Sequence, residues 1–197
     1  MKNKIMMNNK INVKINNETK NILIEECMVL PEGYGIYKMT DPSLLVAGAK
    51  TIVIDIGGGS TDLAYFDENG RFTDGDSVDL GLLDLYKDVQ KEVQNEIKTL
   101  YPIEDIRKYY DKELCPIGLT DEPKRQPTID NFKQLLNRIA GKRSDLRQCN
   151  VIVAGGGAKV YGQLFKKVLP QTIINNDVAA NAKAYFTAGV TKWQKRN

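Results

Sequence analysis

Histidine is missing altogether from this 197-residue chain. That absence removes the serine–histidine–aspartate triad, the imidazole general base and nearly every catalytic zinc site, since each needs an imidazole. Any chemistry must run on carboxylates, lysines, hydroxyls and backbone amides. Cysteine is scarce: Cys27, Cys115 and Cys149 lie far apart with no CxxC spacing, and an odd number argues against a disulfide framework. All three read as structural residues of a protein kept in a reducing cytosol. Long apolar runs are lacking as well, and the opening MKNKIMMNNK has no apolar core of the kind a signal peptide needs. A cytoplasmic protein without a membrane partner is expected. Charge of one sign is not in excess: the net +3 is small and evenly spread, with no clustered basic face to direct nucleic-acid binding. The terminal KWQKRN reads as a solvated end.

What is present is the composition of a soluble globular chain, 42% hydrophobic and 27% charged. INVKI (Ile11 to Ile15) and NILIEECMVL (Asn21 to Leu30) flank the polar turn Asn16-Asn17-Glu18 and read as a β-hairpin. After Pro31, the glycines of PEGYGIYKM weaken any helix, and a loop over TDPSLLVAG leads into the strand TIVIDI. LAYFD and GRFTDGDSVDL, around Glu68-Asn69-Gly70, form a second hairpin. From Gly81 the pattern turns helical, with Leu82, Leu85, Tyr86, Val89, Val93 and Ile97 on one face. The stretch Tyr101 to Pro127 is charged, Pro-containing and irregular, the kind of surface segment in which relatives differ. A second helix runs from Thr128 to about Leu146. A buried strand, three glycines and a helix follow in NVIVAGGGAKVYGQLFKKVL, then a short strand in QTIIN and an alanine-rich helix from Asp177 to about Gln194. This order predicts a mixed α/β domain, three-layered around a sheet.

Two glycine triplets carry the functional signal. In TIVIDIGGGSTDLAYF, bare backbone at a strand end lets successive amides approach an anion closely. Asp55 is placed to hold magnesium through water or to orient an attacking water, while Ser60 and Thr61 can donate to phosphate oxygens. A hairpin turn that merely needs glycine is the bland alternative. The second triplet, in VIVAGGG, again follows a buried strand and begins a helix, whose N-terminus favours an anion. Neither triplet is a Walker loop or a GxGxxG fingerprint, so a nucleotide site would be of another design.

DIGGGSTD resembles the second phosphate motif of the actin, sugar kinase and heat-shock chaperone superfamily, and VIVAGGGA resembles its adenosine motif. Within it, MVLPEGYGIY, GDSVDLG and DVAANAKAYFTAGV look like the bacterial actin-like ATPases of the ParM group, over roughly Ile22 to Val190. The resemblance implies an actin-like (ribonuclease H-like) domain, with a mixed sheet and helices on both faces. It implies ATP, with GTP as the alternative, and Mg2+ as cofactors. It assigns Asp55 to magnesium and catalytic water, and Gly57, Gly58, Gly59 and Ser60, with Thr61 beside them, to the β- and γ-phosphates. Asp62 matches the motif's closing acid. Glu32 matches the acid that polarises the attacking water at the first interdomain connection. Gly155, Gly156 and Gly157 match the adenine and ribose loop. Ala179 to Gly189 resembles the second interdomain connection.

That superfamily begins with a first phosphate hairpin in a separate domain, and no such segment is found here. The chain therefore reads as a C-terminal half: residues 1–30 a hairpin from the end of actin-like domain I, residues 31–197 domain II. Enclosure of the phosphates from both sides is what phosphoryl transfer requires, so weak ATP binding and little turnover are expected of this chain alone. Three functions compete. The first is a filament-forming ATPase of plasmid or phage segregation, with self-association and a DNA-bound adaptor as partners. The second is a nonenzymatic module that caps or co-assembles with a full-length actin-like protein. The third is a relative of exopolyphosphatases or sugar kinases.

Overall fold

Residues 2–7, 9–113 and 119–194 are described in the structure, a computed structural model. Cys115, the centre of the Tyr101 to Pro127 stretch and the last three residues of KWQKRN lie outside the described residues. By its internal contacts the chain divides into Met1–Pro31 with Tyr185–Asn197, and Glu32–Ala184.

The smaller unit holds a short helix, α1 (Lys2–Met7), and two antiparallel strands, β1 (Lys10–Ile15) and β2 (Glu18–Leu23). Asn16 and Asn17 both adopt the left-handed conformation, at φ 51° and 65°, which is what a two-residue hairpin turn demands and asparagine tolerates. The expected strand from Asn21 to Leu30 stops at Leu23, because its partner begins at Lys10 and the pairing runs out. Residues 24–31 are instead held by side chains from the C-terminal segment of the same unit. Trp193 Nε1 donates to Glu26 Oε2 at 2.9 Å, Lys192 Nζ lies 2.7 Å from Glu26 Oε1, and the Tyr185 hydroxyl donates to the Pro31 carbonyl at 3.2 Å.

The larger unit starts with α2 (Tyr34–Met39), where glycines led to the expectation of no helix. They serve its docking instead. Gly33, at φ 78°, caps the helix in a left-handed conformation, and a Cβ on Gly35 would come within 2.6 Å of the Ala184 Cβ. A five-stranded sheet follows, in the order β5-β4-β3-β6-β7, built from β3 (Thr51–Ile56), β4 (Thr61–Phe66), β5 (Phe72–Val78), β6 (Asn150–Ala154) and β7 (Thr172–Ile174). The two hairpin connections are antiparallel, whereas β3–β6 and β6–β7 are parallel, giving the mixed sheet the sequence predicts.

Side-chain alternation assigns the two sheet faces. Ile52, Ile54 and Ile56 of β3, Leu63 and Tyr65 of β4, and Val151 and Val153 of β6 pack in one core. They pack there with α3 (Leu82–Ile97), α4 (Ile103–Tyr110), α5 (Glu122–Lys142) and α6 (Ala158–Val168). Val53, Ala64, Phe66, Ile152 and Ala154 point the other way, into a thinner core with Ile36 of α2 and Ala180 at the start of α7 (Ala180–Gln194). The result is helix, sheet, helix. Tyr37 of α2 stacks on Phe66 at 4.1 Å between ring centroids, closing the thin layer.

Two further expectations are corrected. Residues 103–110 are helical, not irregular, and α5 begins at Glu122, six residues before the expected Thr128 and with Pro127 inside it. A proline in a helix interior removes a hydrogen bond, so something else must hold that first turn. Lys124 does: its buried ammonium donates to the Tyr109 carbonyl at 2.7 Å and to Asp121 Oδ1 at 2.8 Å, and lies 3.8 Å from the centroid of the Tyr109 ring. Of the cysteines described, Cys149 is buried in the larger core and Cys27 is half-buried, both as free thiols. No helix among the described residues is long and apolar enough to cross a membrane.

Candidate nucleotide site

The same alternation that buries Ile54 and Ile56 sends Asp55 to the thin-layer face of β3, half-buried near the strand's end. Asp62 of β4 is its cross-strand partner in register, so both aspartates share that face. Burial raises the Asp55 pKa, a hydrogen bond from Asn181 opposes the rise, and the charge of Asp62 adds to it. Glu32, exposed just before the Gly33 cap, has its pKa raised by partial burial and then by the charges of Asp62 and Asp55. The structure thus brings Glu32, Asp55 and Asp62 into electrostatic reach of one another.

Between β3 and β4 lies the first triplet. The Gly57 amide donates to the Ser60 carbonyl at 2.9 Å, making a tight turn. The N-terminus of α3 then docks onto the loop: the Leu82 and Leu83 amides donate to the Gly57 and Gly58 carbonyls at 3.1 and 2.8 Å. Gly81, which precedes them, must be bare, because a Cβ there would sit 2.3 Å from the Gly58 oxygen. In a trans peptide the carbonyl and the following N–H point in opposite directions. With both carbonyls aimed at α3, the N–H groups of Gly58 and Gly59 point away from it. Among the described residues, the amides of Gly58, Gly59 and Ser60 find no acceptor. Successive amides of this kind form an anion-binding concavity.

The fold gives no other reason for the middle of this loop to be glycine. Neither Gly58 nor Gly59 has a positive φ. A Cβ on Gly59 would meet nothing within 4 Å, and one on Gly58 would only touch Leu83 at 3.8 Å. Thr61 differs from expectation: it is fully buried, and its hydroxyl donates to the Leu80 carbonyl at 2.8 Å. That bond ties the base of the loop to the chain entering α3 and withdraws the hydroxyl from any phosphate. Ser60 is half-exposed.

The second triplet behaves differently. Gly155 has φ 77°, and a Cβ there would lie 2.3 Å from Asp55 Oδ1. Gly157 is buried against Ile56, where a Cβ would come 2.3 Å from Cγ2, and its amide donates to the Ile56 carbonyl at 3.0 Å. Both glycines are required for β6 and α6 to close onto the end of β3. Only Gly156 is exposed, and a Cβ added to it would meet Leu82 at 3.4 Å, an ordinary contact.

Sequence reasoning missed Asn181. It lies on the first turn of α7, and its side-chain amide donates to Asp55 Oδ2 at 2.7 Å. It falls inside the Ala179 to Gly189 segment that resembles the second interdomain connection, but only the packing of that helix onto the thin-layer face singles it out.

No set of three or more His, Cys, Asp or Glu residues among those described is arranged to hold a metal ion by itself. A magnesium ion does not need one, since it keeps several waters and shares a site with phosphate oxygens and one or two carboxylates. Asp55, with Asp62 and Glu32 in reach and an amide concavity beside it, fits an ion held in that way.

No protein-family model matches this chain, and no curated protein does. Solved structures do. The archaeal actin homolog Ta0583 in complex with ADP superposes with a TM-score of 0.77 at 18% identity, over 93% of this chain and 64% of that one. A 15-stranded ParM filament from Clostridium botulinum gives 0.74 at 20% identity, over 96% of this chain and 61% of that one. A non-polymerisable quadruple mutant of pCBH ParM gives 0.74 at 21% identity, over 96% and 63%. This chain spans less than two-thirds of the length of each. Its fold is actin-like.

Proposed function

We propose that this chain is the second nucleotide-binding half of an actin-like, filament-forming ATPase that segregates plasmid or phage DNA. The observation that carries the reading is the pair of N–H groups on Gly58 and Gly59, without an acceptor among the described residues and held away from α3 beside the half-buried Asp55. A loop whose Gly58 and Gly59 are not required by any described neighbour is bare for something outside the protein. A triphosphate is the ligand that fits successive amides next to a carboxylate able to serve a hydrated cation.

In this reading the amides of Gly58, Gly59 and Ser60 hold the β- and γ-phosphates of ATP, with GTP as the alternative, and Gly57, whose amide is taken by the Ser60 carbonyl, closes the turn beneath them. Asp55 serves Mg2+ through water, and Asp62 supports it from the paired strand. Bound magnesium would neutralise developing phosphate charge. Glu32, whose pKa is raised by partial burial and by the charges of Asp62 and Asp55, accepts a proton from the attacking water. Gly156, with Gly155 and Gly157 shaping the turn, faces the adenine and ribose. Support for the nucleotide comes from the archaeal homolog solved with ADP, and support for self-association from the ParM solved as a filament. The partners are other copies of the chain or a full-length actin-like protein, and a DNA-bound adaptor, all in the cytoplasm.

One observation favours a second reading, a nonenzymatic module that co-assembles with a full-length partner. The charges that shift Asp55 and Glu32 are those of neighbouring carboxylates, an acidic environment that by itself repels a transferring phosphoryl group.

Isothermal titration of ATP with magnesium, using an Asp55→Ala control, tests the proposal. Saturable binding that the control abolishes is expected. Absence of binding by the unsubstituted chain overturns the nucleotide assignment, and binding without phosphate release in a turnover assay selects the nonenzymatic reading.

A further inference from the structure

Asp55 is gripped on both oxygens. Oδ2 accepts from the Asn181 side-chain amide at 2.7 Å, and Oδ1 lies against the bare Cα of Gly155, where a Cβ would be only 2.3 Å away. A carboxylate bonded on one oxygen and wedged on the other cannot rotate freely about its own axis. Asn181 is itself fixed from behind: Gly35 of α2 lets the backbone of Asn181 approach, with its Cα and carbonyl oxygen each 3.3 Å from where a Cβ on Gly35 would be. The remaining end of the Asn181 amide, Oδ1, is buried and has no hydrogen-bond partner among the described residues. Buried polar atoms are rarely left without one. An apolar residue of similar size would remove that unmet obligation but also the donor to Asp55 Oδ2, so the asparagine serves the carboxylate it holds.

We propose that Asn181 is a positioning residue for the nucleotide site: it fixes the plane of the Asp55 carboxylate so that the magnesium-bearing side of a triphosphate meets it in one orientation. The inference rests on the reading of Asp55 given above. It places on the first turn of α7 a residue that acts through Asp55 and touches neither adenine nor ribose. Groups that orient a metal-serving carboxylate matter to metal-dependent affinity nearly as much as the carboxylate itself.

The test separates positioning from packing by varying magnesium. ATP affinity is measured by calorimetry in Mg2+ and in excess EDTA for the unsubstituted chain, Asn181→Ala and the bulkier apolar Asn181→Leu, with thermal unfolding of each as a fold control. Positioning predicts that affinity in Mg2+ falls by about tenfold to a hundredfold in a folded variant, while affinity in EDTA stays within about twofold. Equal losses in both conditions would show a packing role and overturn the inference, as would no loss in Mg2+. An unsubstituted chain that binds ATP equally with and without magnesium overturns it while leaving nucleotide binding in place. A chain that binds no ATP in either condition overturns both this inference and the reading beneath it.

Discussion

The two glycine triplets look alike in sequence and differ in what surrounds them. Gly155 and Gly157 are crowded: a Cβ on either would lie 2.3 Å from an atom of β3, Asp55 Oδ1 or Ile56 Cγ2. Gly58 and Gly59 are open, with no neighbour closer than 3.8 Å to an added Cβ and no positive φ. One triplet is bare so that the protein can close on itself, and the other is bare toward solvent. A run of glycines is therefore not evidence of a ligand until the space beside it is known. Here that space separates a packing device at the end of β6 from a candidate phosphate cradle at the end of β3, its neighbour in the sheet.

Substitutions should break this comparison unequally. Gly157→Ala carries the largest expected effect, a loss of about 3 kcal/mol or more in stability from overpacking against Ile56, read by chemical denaturation. Thr61→Val is next: it leaves the buried Leu80 carbonyl without its donor and should cost about 1–3 kcal/mol by the same measurement, with the loop misplaced as a result. Gly59→Ala should change stability by no more than about 1 kcal/mol in either direction, because the added methyl meets nothing. It should nonetheless weaken ATP binding by about tenfold, or about 1.4 kcal/mol, by keeping the phosphates from the amides. If Gly59→Ala unfolds the chain or Gly157→Ala is silent, the contrast between the triplets fails.

The smallest expected effect concerns pH. Asp55 and Glu32 both have folded-state pKa values raised above their ordinary ones, so the folded chain holds these protons more tightly than the unfolded chain. Their contribution to stability is therefore present below the ordinary carboxylate range and is lost as pH rises through the raised values. In unfolding experiments from about pH 4 upward, near the ordinary carboxylate range, Asp55→Asn should flatten part of that decline. An unchanged pH profile would show that Asp55 is not the group responsible.

Much of the architecture is legible in the sequence. Alternation and turn residues locate β3 through β5, the helical spacing from Leu82 to Ile97 locates α3, and the order of elements implies the three-layered mixed sheet. What local pattern does not supply is tertiary. Gly33 and Gly35 lower helix propensity, yet α2 forms because those glycines let it dock against Val53, Ala64 and Ala184. Pro127 marks a helix start by itself, yet Lys124, bonded to Tyr109, carries α5 back to Glu122. In the candidate site, Asp55, the first triplet and Ser60 can be named from sequence. Thr61 departs from its assignment because its burial depends on where Leu80 passes, and Asn181 is invisible because it meets Asp55 from 126 residues away.

The most direct test of the central claim is an amide-resolved NMR titration of the isotopically labelled chain with ATP and magnesium. The account predicts that the Gly58 and Gly59 amide resonances move most as they take phosphate oxygens as acceptors, while the Gly157 amide, already bonded to the Ile56 carbonyl, moves less. Saturating shifts at Gly157 with none at Gly58 and Gly59 would contradict it.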